Sequence, residues 1–92
     1  MKLLLCKNCQ DVIRLIQNEK RTCKCGAVSG MYTDSLNAVY SGEHAIPIGF
    51  ANSTLVRAIK NQPENGMGET FTAFVIPKKC DTFIKEENNK KE

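Results

Sequence analysis

The sequence predicts an α+β domain: an N-terminal β-hairpin packed with a small, mostly antiparallel sheet and one short α-helix. Three observations predict it. Short apolar, β-branched runs recur between turn residues, a single stretch carries a helical period, and four cysteines fall in two close pairs near the start of the chain.

Taken in order, Leu3-Leu4-Leu5 leads into Cys6-Lys7-Asn8-Cys9. Val12 to Ile16 is rich in β-branched residues and reads as a strand, and the polar Gln17-Asn18-Glu19-Lys20 reads as a turn. Arg21-Thr22 then reaches Cys23-Lys24-Cys25-Gly26, so both cysteine pairs are expected at the base of one hairpin. Val28 to Thr33, interrupted by Gly30, is the next strand, and Ala38 to Tyr40 follows after the turn Asp34-Ser35-Leu36-Asn37. Ile46 and Ile48 flank Pro47, which has no N–H to give a ladder, so an edge strand or an extended loop is expected. Asn52 or Ser53 is expected to cap a helix over Thr54 to Asn61, with Leu55, Val56 and Ile59 on one face and Arg57 and Lys60 on the other. Gln62-Pro63 ends it, and Glu64 to Gly68 is a flexible connector. Phe71, Ala73, Phe74, Val75 and Ile76 form a nearly continuous apolar run, which predicts a central strand. At an edge, the same run would be able to pair across a dimer. Thr82 to Ile84 adds a short last strand. Residues 85–92 are polar throughout and predict a disordered tail, leaving 1–84 as a single domain.

The 92 residues suffice for one domain, and a chain this short gains from a metal or a disulfide that staples it. Hydrophobic residues make up 41% and charged residues 25%, the balance of a soluble globular protein, and with no Trp the core must be mainly aliphatic. The apolar run before Cys6 is too short for a secretory signal, and no stretch approaches a membrane span, so the expected compartment is the cytoplasm. There thiols stay reduced, and paired cysteines are read first as metal ligands. Lys outnumbers Arg, and Asn and Ile are common, as in proteins of A+T-rich bacterial or phage genomes.

The motif C-x-x-C, thirteen residues, then C-x-C-G supplies four thiolates: Cys6, Cys9, Cys23 and Cys25. Zn²⁺ binds such a set tetrahedrally, and two turns brought together complete the tetrahedron. Cys23 and Cys25 are two apart, so extended backbone points both sulfurs one way. Gly26 lets the chain curl away and lets the N–H groups that follow approach the sulfurs. Iron takes the same four thiolates, and a redox pair is a third reading, although a Cys23–Cys25 disulfide would be strained. Cys80 is read as a partly buried, unreactive thiol. His44, the lone histidine, would be superfluous as a ligand because four cysteines fill the site, and as a general base it would need a nucleophile such as Cys80 beside it.

The runs Cys6-x-x-Cys9-x-Asp11-Val12-Ile13-x-Leu15, Arg21-Thr22-Cys23-x-Cys25-Gly26 and Gly30-x-Tyr32 resemble the zinc-ribbon group over residues 3–33, and small bacterial and phage proteins that join a ribbon to a compact α/β extension. The resemblance implies the four cysteines as ligands, a cytoplasmic accessory role and no established enzymatic activity. The C-x-C departs from the usual C-x-x-C.

Function is expected to be binding without catalysis, because a Cys₄ site leaves no open coordination position. A protein partner, such as a host complex bound by a phage- or prophage-encoded modulator, would meet Met31, Tyr32, Tyr40 and Phe50. The alternative partner is a nucleic acid, whose phosphates would meet a basic rim of Lys7, Arg14, Lys20, Arg21 and Lys24. The formal charge of +3 is weak for that role, and a zinc-bound thiolate set of about −2 reduces it further.

Overall fold

The computed structural model describes residues 1–86. Eight strands and one helix follow in the order β1 (Lys2–Cys6), β2 (Val12–Arg14), β3 (Arg21–Thr22), β4 (Ser29–Tyr32), β5 (Ala38–Ser41), β6 (Ala45–Phe50), α1 (Asn52–Lys60), β7 (Ala73–Val75) and β8 (Phe83–Lys85). They form two four-stranded sheets, β2-β1-β6-β7 and β3-β4-β5-β8. All pairs are antiparallel except β5 with β8, which the intervening β6, α1 and β7 make possible as a crossover. The fold is therefore α+β, as expected, but with two sheets where the sequence suggested a hairpin and one sheet.

The inner faces share one core. Leu4, Cys6, Ile13, Ala45 and Ile76 come from the first sheet and its margins, and Cys23, Val28, Ala38, Tyr40 and Phe83 from the second. Tyr40 and Phe83 meet edge to face with ring centroids 4.8 Å apart. Gly30 lets the two sheets approach closely. A Cβ there would lie 2.8 Å from Leu4 Cδ1 and 2.9 Å from the Val39 carbonyl oxygen. At the far end the Lys2 N–H donates to the Tyr32 hydroxyl at 3.0 Å, joining β1 to β4 across the sandwich.

Strand alternation gives the first sheet an unusual outer face. Leu3 and Leu5 on β1, Ile46, Ile48 and Phe50 on β6 and Val75 on β7 all point away from the core, and Arg14 on β2 is the charged exception beside Val12.

Four expectations need correction. Pro47 lies inside a six-residue strand flanked by β1 and β7. The strand tolerates it because the Pro47 carbonyl accepts from Ile76 N–H at 2.9 Å, so its donorless nitrogen faces the same side, at the point where β7 ends. The apolar run near residue 74 is not central: β7 is a three-residue edge strand with every residue exposed. The helix begins at Asn52 with no side-chain cap. Ala51 takes the cap position, its carbonyl accepting from the Thr54 and Leu55 N–H groups and the Thr54 hydroxyl, while Asn52 Oδ1 accepts from the Met1 ammonium. Only Ala58 of α1 is buried; Leu55 and Ile59 instead line a shallow groove with Pro63 and Phe71. Lys85, assigned to the polar tail from sequence, belongs to β8, and residues 87–92 lie outside the described residues.

Replacing Gly30 with Ala should cost about 1–3 kcal/mol, because backbone as well as side chain must yield. Urea unfolding of the variant beside the parent measures this.

Candidate metal centre

The two cysteine pairs sit on two different turns. Cys6 ends β1, and Cys9 lies in the turn to β2; Cys23 and Cys25 lie in the turn from β3 to β4. The expected single hairpin carrying both pairs is thus replaced by two hairpins, one from each sheet, whose tips meet. Between them, Ile16 and Glu19 bridge a tight turn in which Asn18 takes φ 61°, and the Tyr32 N–H donates to the Ile16 carbonyl.

The turns are built alike despite their different cysteine spacing. Cys6 N–H donates to Asp11 O, and Cys23 N–H donates to Val28 O, each at 2.9 Å and each five residues ahead. Both loops therefore have the same length, and C-x-C places its second cysteine one position earlier within it. The residue after the second cysteine is left-handed in both, Gln10 at φ 63° and Gly26 at φ 84°. Glycine meets this demand without strain, whereas Gln10 adopts a conformation that side chains disfavour. Two polar contacts tie the loops to one another. Asp11 Oδ2 accepts from Lys24 N–H at 2.9 Å, and Asn8 Nδ2 donates to Cys25 Sγ at 3.3 Å.

All four sulfurs lie within 4.8 Å of one another. Cys6 and Cys25 are 3.7 Å apart, Cys23 and Cys25 3.6 Å. Those separations match the edge of a tetrahedron with metal–sulfur bonds of about 2.3 Å, which is roughly 3.8 Å, and they exceed a disulfide bond of about 2.05 Å. Cys6 and Cys23 are buried, Cys9 half-buried and Cys25 exposed. Four soft donors in this arrangement fit a thiophilic metal ion.

The protein prepares the sulfurs for ionisation unequally. Burial pushes the Cys6 thiol up to about 11, against the N–H groups of Cys9 and Asn8. The Asn8 side chain and then the Ala27 N–H bring Cys25 down to about 6. Burial and the Cys25 thiol oppose ionisation of Cys23, but the Val28 N–H, 3.3 Å from its sulfur, and the Cys6 and Cys9 thiols bring it below the ordinary value. The N–H groups after Gly26 do approach the sulfurs.

The other predicted site residues are dispersed. Lys7 and Lys24 sit on the cysteine turns, Arg14 on β2, Arg21 on β3 and Lys20 just before it, all exposed but divided between the two sheets. Tyr40 is 3% exposed and belongs to the core, which leaves almost none of its ring for a protein partner. Tyr32 is half-buried, with Lys2 Nζ 5.4 Å from its ring centroid, and Phe50 packs edge to face on Phe71. Met31 is half-buried on β4. The Cys80 sulfur has the Thr82 hydroxyl 3.5 Å away, which brings its pKa below the ordinary value, and Cys80 lies outside the cysteine cluster. His44 contributes its carbonyl to the Lys7 N–H, extending the β1–β6 pairing. Asp11 and Asn8 were missed as site residues. Their place inside or beside the cysteine loops was visible, but their bonds to the opposite loop were not.

Compared with protein-family models, with curated proteins and with solved structures, the chain finds no match in any of the three.

Two outcomes follow from the thiol environments. Metal binding must expel the Cys6 proton at any pH well below 11, so affinity should rise with pH, by about a decade per unit near pH 7 from this thiol alone; competition against a chromophoric chelator at pH 6, 7 and 8 reads the slope. After metal is stripped, Cys25 should be the first cysteine alkylated at pH 7, because it is exposed and mostly thiolate above pH 6; peptide mapping identifies the site.

Proposed function

We propose that this chain is a small zinc-binding module whose Cys₄ site is structural, and that the folded unit works as a non-catalytic interaction scaffold. One observation carries the reading: four sulfurs from two sheets converge within 4.8 Å. A closed thiolate site offers no coordination position to a substrate. Zinc would be held by Cys6, Cys9, Cys23 and Cys25, and its contribution would be to offset half of the charge of four converging thiolates and lock two loops together. Asp11 and Asn8 would keep the loops in register. The two-hairpin arrangement supports a zinc-ribbon-like reading of the N-terminal half.

Support for a protein partner comes from exposed apolar side chains away from the metal. Ile59 is 63% exposed, Met67 90% and Val75 69%. The nucleic-acid alternative has less support, since the five basic side chains are shared out between two sheets and the thiolate centre beside Lys7 and Lys24 carries negative charge.

Elemental analysis of purified protein should give one zinc per chain and no iron. Chelation should lower the melting temperature by more than 10 °C, about 2 kcal/mol or more for a domain of this size. Substoichiometric metal with an unchanged melting curve would remove the reading. Asp11→Ala should weaken zinc binding by about ten-fold while leaving the stoichiometry at one. A mobility shift with a nucleic acid that disappears between low and moderate salt would shift the partner class.

A further inference from the structure

We infer that β7 is a dimerisation edge: two copies of this chain pair through β7, antiparallel and centred on Phe74, and join two four-stranded sheets into one of eight.

The backbone of β7 is prepared for it. Ile76 N–H donates to Pro47, and Thr72 carbonyl accepts from Ala51, so the even-numbered residues turn toward β6. Ala73 and Val75 therefore turn their N–H and C=O groups to the open edge. The other sheet edges carry charge within the strand: Arg14 on β2, Arg21 on β3 and Lys85 on β8. In β7 all three residues are apolar and exposed, and no charge lies between Glu69 and Lys78. Soluble proteins guard such edges with charge, proline or a covering element, and among the described residues β7 has none of these between Thr70 and Ile76, Pro77 following only where the pairing with β6 ends.

Charge at the two ends of the strand selects a second copy. Glu69 lies five residues before Phe74 and Lys79 five residues after it. With Phe74 facing its twin in antiparallel register, Glu69 of each copy meets the end that carries Lys79 of the other. Parallel pairing would set Glu69 against itself and Lys78 and Lys79 against themselves. The pattern is self-complementary, as a two-fold contact requires. In this register Ala73 of each copy exchanges both backbone hydrogen bonds with Val75 of the other, using the four N–H groups that face the edge. The two Phe74 residues form the close, non-hydrogen-bonded pair, which favours aromatic side chains. The outer face of Leu3, Leu5, Ile46, Ile48 and Val75 then continues from one copy to the next.

Sedimentation equilibrium of the full chain tests this. The parent should be a dimer at tens of micromolar. Ala73→Pro removes one edge-facing N–H and no bond to β6, and should be monomeric at the same concentration with unchanged circular dichroism and metal content. Glu69→Lys or Lys79→Glu alone should weaken the dimer by about ten-fold, since each turns two attractions into repulsions. An equimolar mixture of those two variants should recover parental affinity as a heterodimer, because every charge again faces its opposite. Should Ala73→Pro disturb the fold, the mixture decides alone. A parent that stays monomeric at several hundred micromolar overturns the inference and leaves the edge to a strand of another protein. A dimer indifferent to Ala73→Pro, or a charge-swapped mixture that fails to recover, overturns it equally.

Discussion

Two loops from opposite sheets have to meet at one end of this molecule, and four sulfur atoms occupy the point where they do. Cys6 continues β1 of the first sheet and Cys23 follows β3 of the second, yet both are buried in the core that the sheets share. The sulfur corner is thus continuous with Val28 and Ala45 rather than appended to them. Four ionised thiols within 4.8 Å of one another repel strongly in such a setting. A divalent cation turns that repulsion into a cross-link between sheets, and protonation removes it without linking anything.

The rest of the sandwich is consistent with a need for such a link. The largest fully buried side chains are Phe83, Leu4, Val28 and Cys6, and the small residues Gly30, Ala38 and Ala45 are buried beside Ile13, Leu15, Tyr40 and Ile76. Small residues let the sheets approach, but they bury little apolar area. Helix α1 adds little, with Ala58 as its one buried residue. The backbone geometry of the two loops reflects the same pressure. Both close by a bond from the first cysteine to the carbonyl five residues ahead, and both accept a left-handed residue, even where that residue is Gln10.

Much of this was legible in the sequence because the physics was local. The cysteine set needed only spacing and the known coordination of zinc. The turn at Gln17 to Lys20, the strands around Met31 and Val39 and the single helix followed from side-chain chemistry within a few residues. What escaped depends on pairing at long range. Val12 to Ile16 is followed by a tight turn and Arg21-Thr22, which reads as one hairpin; in the structure β2 pairs back with β1, and β3 forward with β4. Pro47 is ambiguous from sequence because its cost depends on which side of the strand its nitrogen faces and where the neighbour ends. Tyr40 looks the same on paper whether its ring meets Phe83 or solvent. The bond from Asp11 to Lys24 spans both loops, and no spacing rule reports it.

The apolar run at Phe71 to Ile76 shows where periodicity stops being informative. A strand without polar alternation is one that buries both faces, and the usual inference places it in the middle of a sheet. Here the same run lies at an edge with Phe74 48% and Val75 69% exposed. Sequence hydrophobicity reports that a surface is better removed from water, but not whether the chain or another molecule removes it. The flanking charges carry the missing information. Glu69 and Lys79 stand five residues to either side of Phe74 in the sequence, with opposite sign. A strand buried within its own sheet has no use for such a pattern, whereas an antiparallel contact between identical strands makes every element of it complementary.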